Sequence, residues 1–348
     1  MNRFTTCWLT TNRACNIRCE WCYAKDTGFS VNDEISLVNA KKIVDLSFGL
    51  GIKTIILIGG EPTIYSEIFE LITYIKSKNI KVVLVTNGIL LFNDNILDRF
   101  VAAGVDSYSI SLKASTKEKY KTLTQFDGFE MVLGAIKNLS ERKCSFSVST
   151  VLTADNIDDF LDGLVEAKKC GAKSFSLSFC YNFDMGESSK REFLQKNNPY
   201  LLAEKYSNIY GLVCEKLEGC SFSLEQSLPL CVWDEEIIKK MDKDRHLKSI
   251  CQLLRGNGIL FDTDMSLIPC NAMYKLKYGK YGEDFIDKET FLEYLNTEKV
   301  KKLFAKLRGV PSLDCLKCDD CHNCGGGCVT NWTNYSFEEL KSMKKKGD

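Results

Sequence analysis

Two hydrophobic rhythms alternate through the first half of the chain. Short β-branched runs, "TIILIG" from Thr54, "KVVLVTN" from Lys81, "VDSYSISLK" from Val105, "SFSVSTVL" from Ser145 and "KSFSLSFC" from Lys173, read as strands. Between the first two, "SEIFELITYIKSKN" (66–79) has helical spacing. Ile68, Leu71, Ile72 and Ile75 fall on one face at i, i+3, i+4 and i+7, with Ser66 as the expected N-cap. Adding "CWLTT" near the start gives about six βα units, the pattern of helices packed on a parallel sheet. In such folds, chemistry gathers at the carboxyl ends of the strands.

After residue 180 the rhythm breaks. Residues 181–250 read as mostly helical, "GILFDTDMSLIPC" as a hairpin turning on "DTDM", and 287–307 as helical again before "CLKCDDCHNCGGGC". The "KKK" near the end reads as a solvated helix face. The 46 basic and 46 acidic residues balance, so no electrostatic footprint for nucleic acid or membrane is present. The longest apolar runs fall far short of a membrane span, and "MNRFTTCWLTTN" lacks the layout of a signal peptide, so a cytoplasmic location is expected. Seventeen cysteines against two histidines, His246 and His322, change the picture more. Clustered cysteines in a cytosolic chain of this size favour metal over disulfides, and with so little imidazole the sites must be soft and all-thiolate: iron-sulfur clusters or zinc held by four cysteines.

The stretch Cys15 to Cys22, "CNIRCEWC", puts three thiols on the loop after the first expected strand. Three thiolates can hold three irons of a 4Fe-4S cube and leave the fourth iron open; a partial zinc site is the alternative. "GGEP" (59–62) ends the next strand, where two glycines would let a ligand approach the backbone and Glu61 could meet an ammonium group. "TNG" (86–88) ends the third. With CxxxCxxC and an aromatic, Trp21, before its last cysteine, the chain resembles the radical S-adenosylmethionine (radical SAM) enzymes over roughly residues 5–180. The resemblance implies an α/β fold, a partial (β/α)6 TIM-like barrel. It implies a 4Fe-4S cluster on Cys15, Cys19 and Cys22, whose open iron chelates the amino and carboxylate groups of S-adenosyl-L-methionine. Gly59, Gly60 and Glu61 would line the methionine amino group, with Asn87, Ser111 and Ser149 near the carboxylate or ribose. It also implies reductive cleavage to a 5'-deoxyadenosyl radical that removes a hydrogen atom from substrate. Lys113 stands where many relatives have an acidic residue; it would contact a carboxylate or belong to a solvated loop.

The second cysteine group, Cys315, Cys318, Cys321, Cys324 and Cys328, with Cys251 and Cys270 flanking the hairpin, resembles the SPASM extension that carries auxiliary 4Fe-4S clusters; a zinc ribbon is the alternative. The resemblance implies Cys251, Cys270 and Cys328 on a first auxiliary cluster, with Cys231 as candidate fourth ligand, and Cys315, Cys318 and Cys324 on a second. For that second cluster, Cys321 substitutes for the family's last cysteine, or the cluster is open, or it is absent. Met265 replaces the usual hairpin glycine. The expected division is a radical SAM barrel over 1–185, a helical bridging region over 186–245 and a small cysteine-rich SPASM domain with a β-hairpin over 246–348.

The SPASM resemblance implies a precursor peptide as substrate, a ribosomally made peptide that receives an oxidative modification such as a crosslink, with a flavodoxin or ferredoxin as electron donor. Because the first strand lies so near residue 1, leader recognition is expected from a separate leader-binding protein or from 181–250. A sulfatase-maturase-like oxidase would call for an aspartate after Cys270, where Asn271 stands, and an amide cannot be that base. An aminocyclitol-type dehydrogenase is a further alternative. An epimerase would need a thiol to return a hydrogen atom: Cys180 at the end of the last expected strand, or Cys321, Cys214 or Cys220. Each also fits a small buried hydrophobe. A zinc-stabilised scaffold would leave the strand-end motifs unexplained.

Overall fold

The computed structural model describes residues 4–180, 187–248 and 251–344. Six strands follow the β-branched runs: β1 (Thr6–Thr10), β2 (Thr54–Ile58), β3 (Lys81–Thr86), β4 (Ser107–Ser111), β5 (Phe146–Leu152) and β6 (Ser174–Phe179). Each pairs in parallel with the next. Helices α1 (Leu37–Gly49), α2 (Ile68–Ser77), α3 (Asp94–Ala103), α4 (Lys117–Thr124), α5 (Phe129–Glu141) and α6 (Phe160–Lys169) lie between them. Strand periodicity sorts the side chains. Cys7, Leu9, Ile55, Leu57, Val82, Leu84 and Val148 are buried in the core that the helices cover, while the alternate positions Trp8, Val85, Ser111 and Val151 face a cavity.

In α2 the expected face is buried, Ile68, Leu71, Ile72 and Ile75 all being inaccessible. Ser66 is not its cap. The helix starts one residue later, Glu67 takes the N-cap position without a side-chain capping bond, and the Ile68 N–H goes to the Tyr65 carbonyl.

Among the described residues the sheet is longer than the expected six units and is not closed. Its eleven strands run β11-β10-β9-β1-β2-β3-β4-β5-β6-β7-β8. Past α7 (Glu187–Lys196) and α8 (Pro199–Lys216), the region expected to be helical supplies β7 (Ser221–Glu225), parallel to β6, before α9 (Glu235–Lys243) and β8 (Leu247–Lys248). "SFSLE" alternates as a strand should, and the helices around it masked the signal. At the other edge, β9 (Gly258–Phe261) pairs with β10 (Ser266–Leu267) as the expected hairpin, with β11 (Gly279–Lys280) beyond. β9 also pairs in parallel with β1, so the hairpin extends the barrel sheet. Met265 takes the left-handed conformation (φ 64°) that a glycine would favour, and the turn is held by the Met265 N–H on the Asp262 carbonyl and the Ser266 N–H on the Asp264 carboxylate. Helices Lys288–Leu295 and Glu298–Leu307 occupy the expected 287–307 stretch. Among the described residues no helix is long and apolar enough to cross a membrane.

Candidate active site

A cavity of about 260 Å³ opens at the carboxyl ends of β1 to β5, and Cys15, Cys19, Cys22, Trp21, Glu61 and Lys113 line it together. Gly59, Gly60, Asn87 and Ser111 also line it; Ser149 does not, and instead approaches Ser111 across the β4–β5 pair (Oγ to Oγ 3.4 Å).

The cysteine loop is pinned from three sides. Arg18 and Glu20 donate backbone N–H bonds to the carbonyls of Thr124 and Leu123 at the end of α4 (2.8 and 3.0 Å). Asn87 donates from its amide to the Asn16 side chain (2.7 Å). The strand-end glycines form the third side: they line the cavity, and the protein's own chain also approaches their backbones closely. The Gly60 and Glu61 N–H groups bond the carbonyls of Asn12 and Ala14 (2.7 and 2.8 Å), and a Cβ on Gly59 or Gly60 would collide with the backbone of residues 12–14. The glycines are therefore the reason the loop sits where it does.

Glu61 is 1% exposed and fully engaged. One carboxylate oxygen accepts from the Thr63 N–H and from the Thr63 and Thr86 hydroxyls, the other from the Asn87 N–H (2.6–3.1 Å). Burial raises its pKa, and these donors oppose the shift. Burial also pushes the Cys15 thiol up to about 12, with Glu61, Cys19 and Cys22 adding to the rise. Cys19 and Cys22 are raised by burial as well, while Lys113 favours their charged forms. Three thiols, Cys19 buried and Cys15 and Cys22 half-buried, that share one cavity with a lysine suit a cation that replaces their protons.

Around this set stand Trp8 and Tyr23, which the sequence reading missed, and Asn271, which it weighed only as an amide where a base would be needed. Trp8 lines the cavity with its indole N–H buried and unpartnered, and its alternation with Cys7 and Leu9 on β1 was the available signal. Tyr23 is half-buried near Cys22 and Cys270, and its hydroxyl donates to the Gly59 carbonyl (3.4 Å). Asn271 brings the hairpin end into the same cavity.

The remaining cysteines form two further groups. Burial takes the Cys270 thiol up to about 12, with Cys251 adding to the rise; Cys328 is raised by burial and then by Cys270 and Cys251, and the Glu225 carboxylate at the end of β7 adds to the rise of Cys251 and Cys270. Cys231 is not with them. It lines a separate cavity of about 830 Å³ together with Cys315, Cys318, Cys321 and Cys324. The sequence reading put Cys231 with the first group, whereas its loop, held by the Gln226 amide on the Asn323 carbonyl, lies beside the second. Of the thiols considered as hydrogen donors, Cys180 is buried beside Tyr335, Cys321 lies in the larger cavity, and Cys220 precedes β7 at the amino end of the sheet; none lines the active-site cavity. Cys214, Asp244 and His246 bring their ligand atoms within 4.8 Å of one another, and the Tyr210 hydroxyl bonds both Asp244 and His246 Nδ1 (3.0 and 2.7 Å).

Residues 9–164 match the family described as the Radical SAM superfamily. The chain is 34% identical to the GTP 3',8-cyclase of Chlorobaculum tepidum over 229 residues, 62% of this chain and 66% of that protein. It is 29% identical to the AdoMet-dependent heme synthase of Methanosarcina barkeri over 176 residues, half of each. The chain thus spans about half to two thirds of the curated relatives it matches. Its fold is shared with Streptococcus suis SuiB bound to S-adenosylmethionine (TM-score 0.70, 16% identity, 97% of this chain and 76% of that one) and with anSMEcpe bound to AdoMet (0.69, 18%, 99% and 98%). Residues 9–164, with the cysteine loop at the strand ends, are thus a radical SAM domain, a domain of enzymes.

Proposed function

We propose that this enzyme cleaves S-adenosylmethionine and acts on a ribosomally made peptide, leaving an oxidative modification such as a crosslink. Cys15, Cys19 and Cys22 hold a 4Fe-4S cluster, and the fit is chemical: three thiols line the cavity, with Glu61, Asn87 and Ser111 on its other walls. Cluster and S-adenosylmethionine together supply a 5'-deoxyadenosyl radical for hydrogen abstraction. Lys113 offsets thiolate charge, and Trp8, Ile17, Ile58, Val85 and Val151 form an apolar wall that excludes water from the reacting atoms.

The observation that carries the oxidative reading is Asn271 in this cavity. Its neighbour Cys270 belongs to the Cys251, Cys270 and Cys328 group, so an auxiliary cluster there would adjoin the substrate and could take up its electron. The division into barrel (1–185), bridge (186–245) and auxiliary domain (246–348) is retained, with one sheet running through all three. A peptide substrate is supported by likeness in fold along 97–99% of the chain to SuiB and anSMEcpe, whose structures include peptide-bound forms. A flavodoxin or ferredoxin donor and a separate leader-binding protein complete the proposal. Sequence similarity to the cyclase favours a second reading, a small-molecule substrate.

The test is anaerobic turnover of reconstituted protein with dithionite and S-adenosylmethionine, against peptides encoded beside its gene and against GTP. Formation of 5'-deoxyadenosine with a peptide mass loss of two hydrogens, both abolished by Cys15→Ala, is expected. Conversion of GTP with every peptide mass unchanged would replace the peptide reading with the small-molecule one.

A further inference from the structure

We propose that Cys231, Cys315, Cys318 and Cys324 form a complete four-thiolate iron-sulfur site, with Cys231 brought in from the loop after β7. The inference deepens the reading above and rests on this enzyme carrying auxiliary clusters.

The loop and the cysteine run are fastened by hydrogen bonds to backbone carbonyls. The Gln226 side-chain amide donates to the Asn323 carbonyl (2.9 Å), the Cys328 N–H to the Ser227 carbonyl (2.8 Å), and the Asn331 amide to the same carbonyl (2.8 Å). Gly325, Gly326 and Gly327 all take positive φ, which folds the run back after Cys324. At Gly327 a Cβ would stand 2.8 Å from the backbone of residues 227–229, so only glycine allows this approach. Docking then sets Cys231 on the wall of the 830 Å³ cavity that Cys315, Cys318 and Cys324 also line. Behind the crowding of surrounding atoms, the groups that raise the Cys231 thiol are Cys324, Cys315 and Cys318. The Leu230 N–H points at Cys324 Sγ (3.2 Å), the kind of N–H···S contact that tunes iron-sulfur clusters.

With these four thiols the site is closed on protein ligands, and Cys321 is surplus. A closed cluster suits electron transfer, whereas an open one could bind substrate. The assignment also removes Cys231 from the Cys251, Cys270 and Cys328 group, which the Glu225 carboxylate faces instead.

The experiment is iron and sulfide content with Mössbauer spectra of anaerobically reconstituted full-length protein, read alongside 5'-deoxyadenosine formation. Each cluster contributes about four irons. Cys231→Ala is expected to lose or open the same cluster as Cys315→Ala, and the double variant to lose no more than Cys315→Ala alone. Cys231→Ala with Cys270→Ala should lose the iron of two clusters. Cys321→Ala should keep full iron, which also guards against general unfolding of the cysteine run. Additive loss with Cys315→Ala, iron loss in Cys321→Ala with none in Cys231→Ala, or zinc in place of iron and sulfide at this site would overturn the assignment. Failure of the radical SAM reading would appear separately, as iron at Cys15, Cys19 and Cys22 without cleavage of S-adenosylmethionine.

Discussion

Arg13, two residues before the cysteine loop, forms a buried ion pair with Asp262 at the end of β9; their side chains are 2% and 5% exposed. The guanidinium also lies over the Tyr274 ring, 4.8 Å from its centroid, and the Thr263 N–H bonds the Asp262 carboxylate (2.8 Å). This pair joins the radical SAM loop to the hairpin that carries Cys270. Removing one partner leaves a charge buried without compensation, so Asp262→Ala should lower unfolding free energy by about 3–5 kcal/mol. Arg13→Met combined with Asp262→Leu should recover most of that loss. Urea midpoints of the three proteins, at unchanged slope, check both statements.

Gly60→Ala places a methyl group against the carbonyls of Arg13 and Ala14. Backbone cannot yield as a flexible side chain would, so a loss of about 1–3 kcal/mol is expected. Iron at the Cys15, Cys19 and Cys22 site should fall with it. Full cluster content in a stably folded Gly60→Ala protein would show that the loop does not need this close approach.

Glu61→Gln keeps shape and removes charge. An amide can accept on one atom only, so donors that now share the carboxylate lose partners, at about 1.5–3 kcal/mol for a bond to a charged group. Because Glu61 also lines the cavity, S-adenosylmethionine affinity should fall at least about tenfold, or 1.4 kcal/mol. Equilibrium binding to the reconstituted variant reads this directly.

His246 is stacked on Phe222, with ring centroids 3.7 Å apart, and accepts or shares a proton with the Tyr210 hydroxyl. Burial lowers its pKa, opposed by Asp244 and assisted by Lys248. The unfolded chain, with an imidazole near about 6.5, takes up this proton first as pH falls. Its contribution to stability is therefore full above that value and is lost below it. His246→Gln should flatten the fall in stability between about pH 7 and 5, measured by urea unfolding at fixed ionic strength.

Gly327→Ala adds a side chain at φ +71° and pushes it into residues 227–229. Loss of about 1–3 kcal/mol is expected from strain at a position where L side chains are disfavoured. Displacement of the Cys231 loop should remove iron from the second auxiliary site while leaving 5'-deoxyadenosine formation intact.

Much of the candidate site was legible because strand period and strand ends are local properties. Once "CNIRCEWC", "GGEP" and "TNG" follow β-branched runs, a parallel sheet must bring them to one edge, and the structure places Cys15, Cys19, Cys22, Glu61 and Asn87 around one cavity. Trp8 was equally readable from its alternation with Cys7 and Leu9 and was passed over because an aromatic in a strand carries no chemical signature. β7 was hidden because five residues between helices give too short a window for period 2 to stand out.

Sequence alone determined the thiol inventory, the loop that carries three of them and the parallel βα order, since composition, spacing and periodicity act over a few residues. Only the tertiary structure decided which thiols meet. The sequence reading set Cys231 beside Cys251, Cys270 and Cys328, whereas in the fold its loop packs at Gly327 and lines a cavity with the C-terminal run, and the hairpin could have stood alone until β9 found β1. These choices depend on contacts between residues distant in the chain. The free energy of such contacts comes from shape and backbone hydrogen bonds that no local pattern encodes.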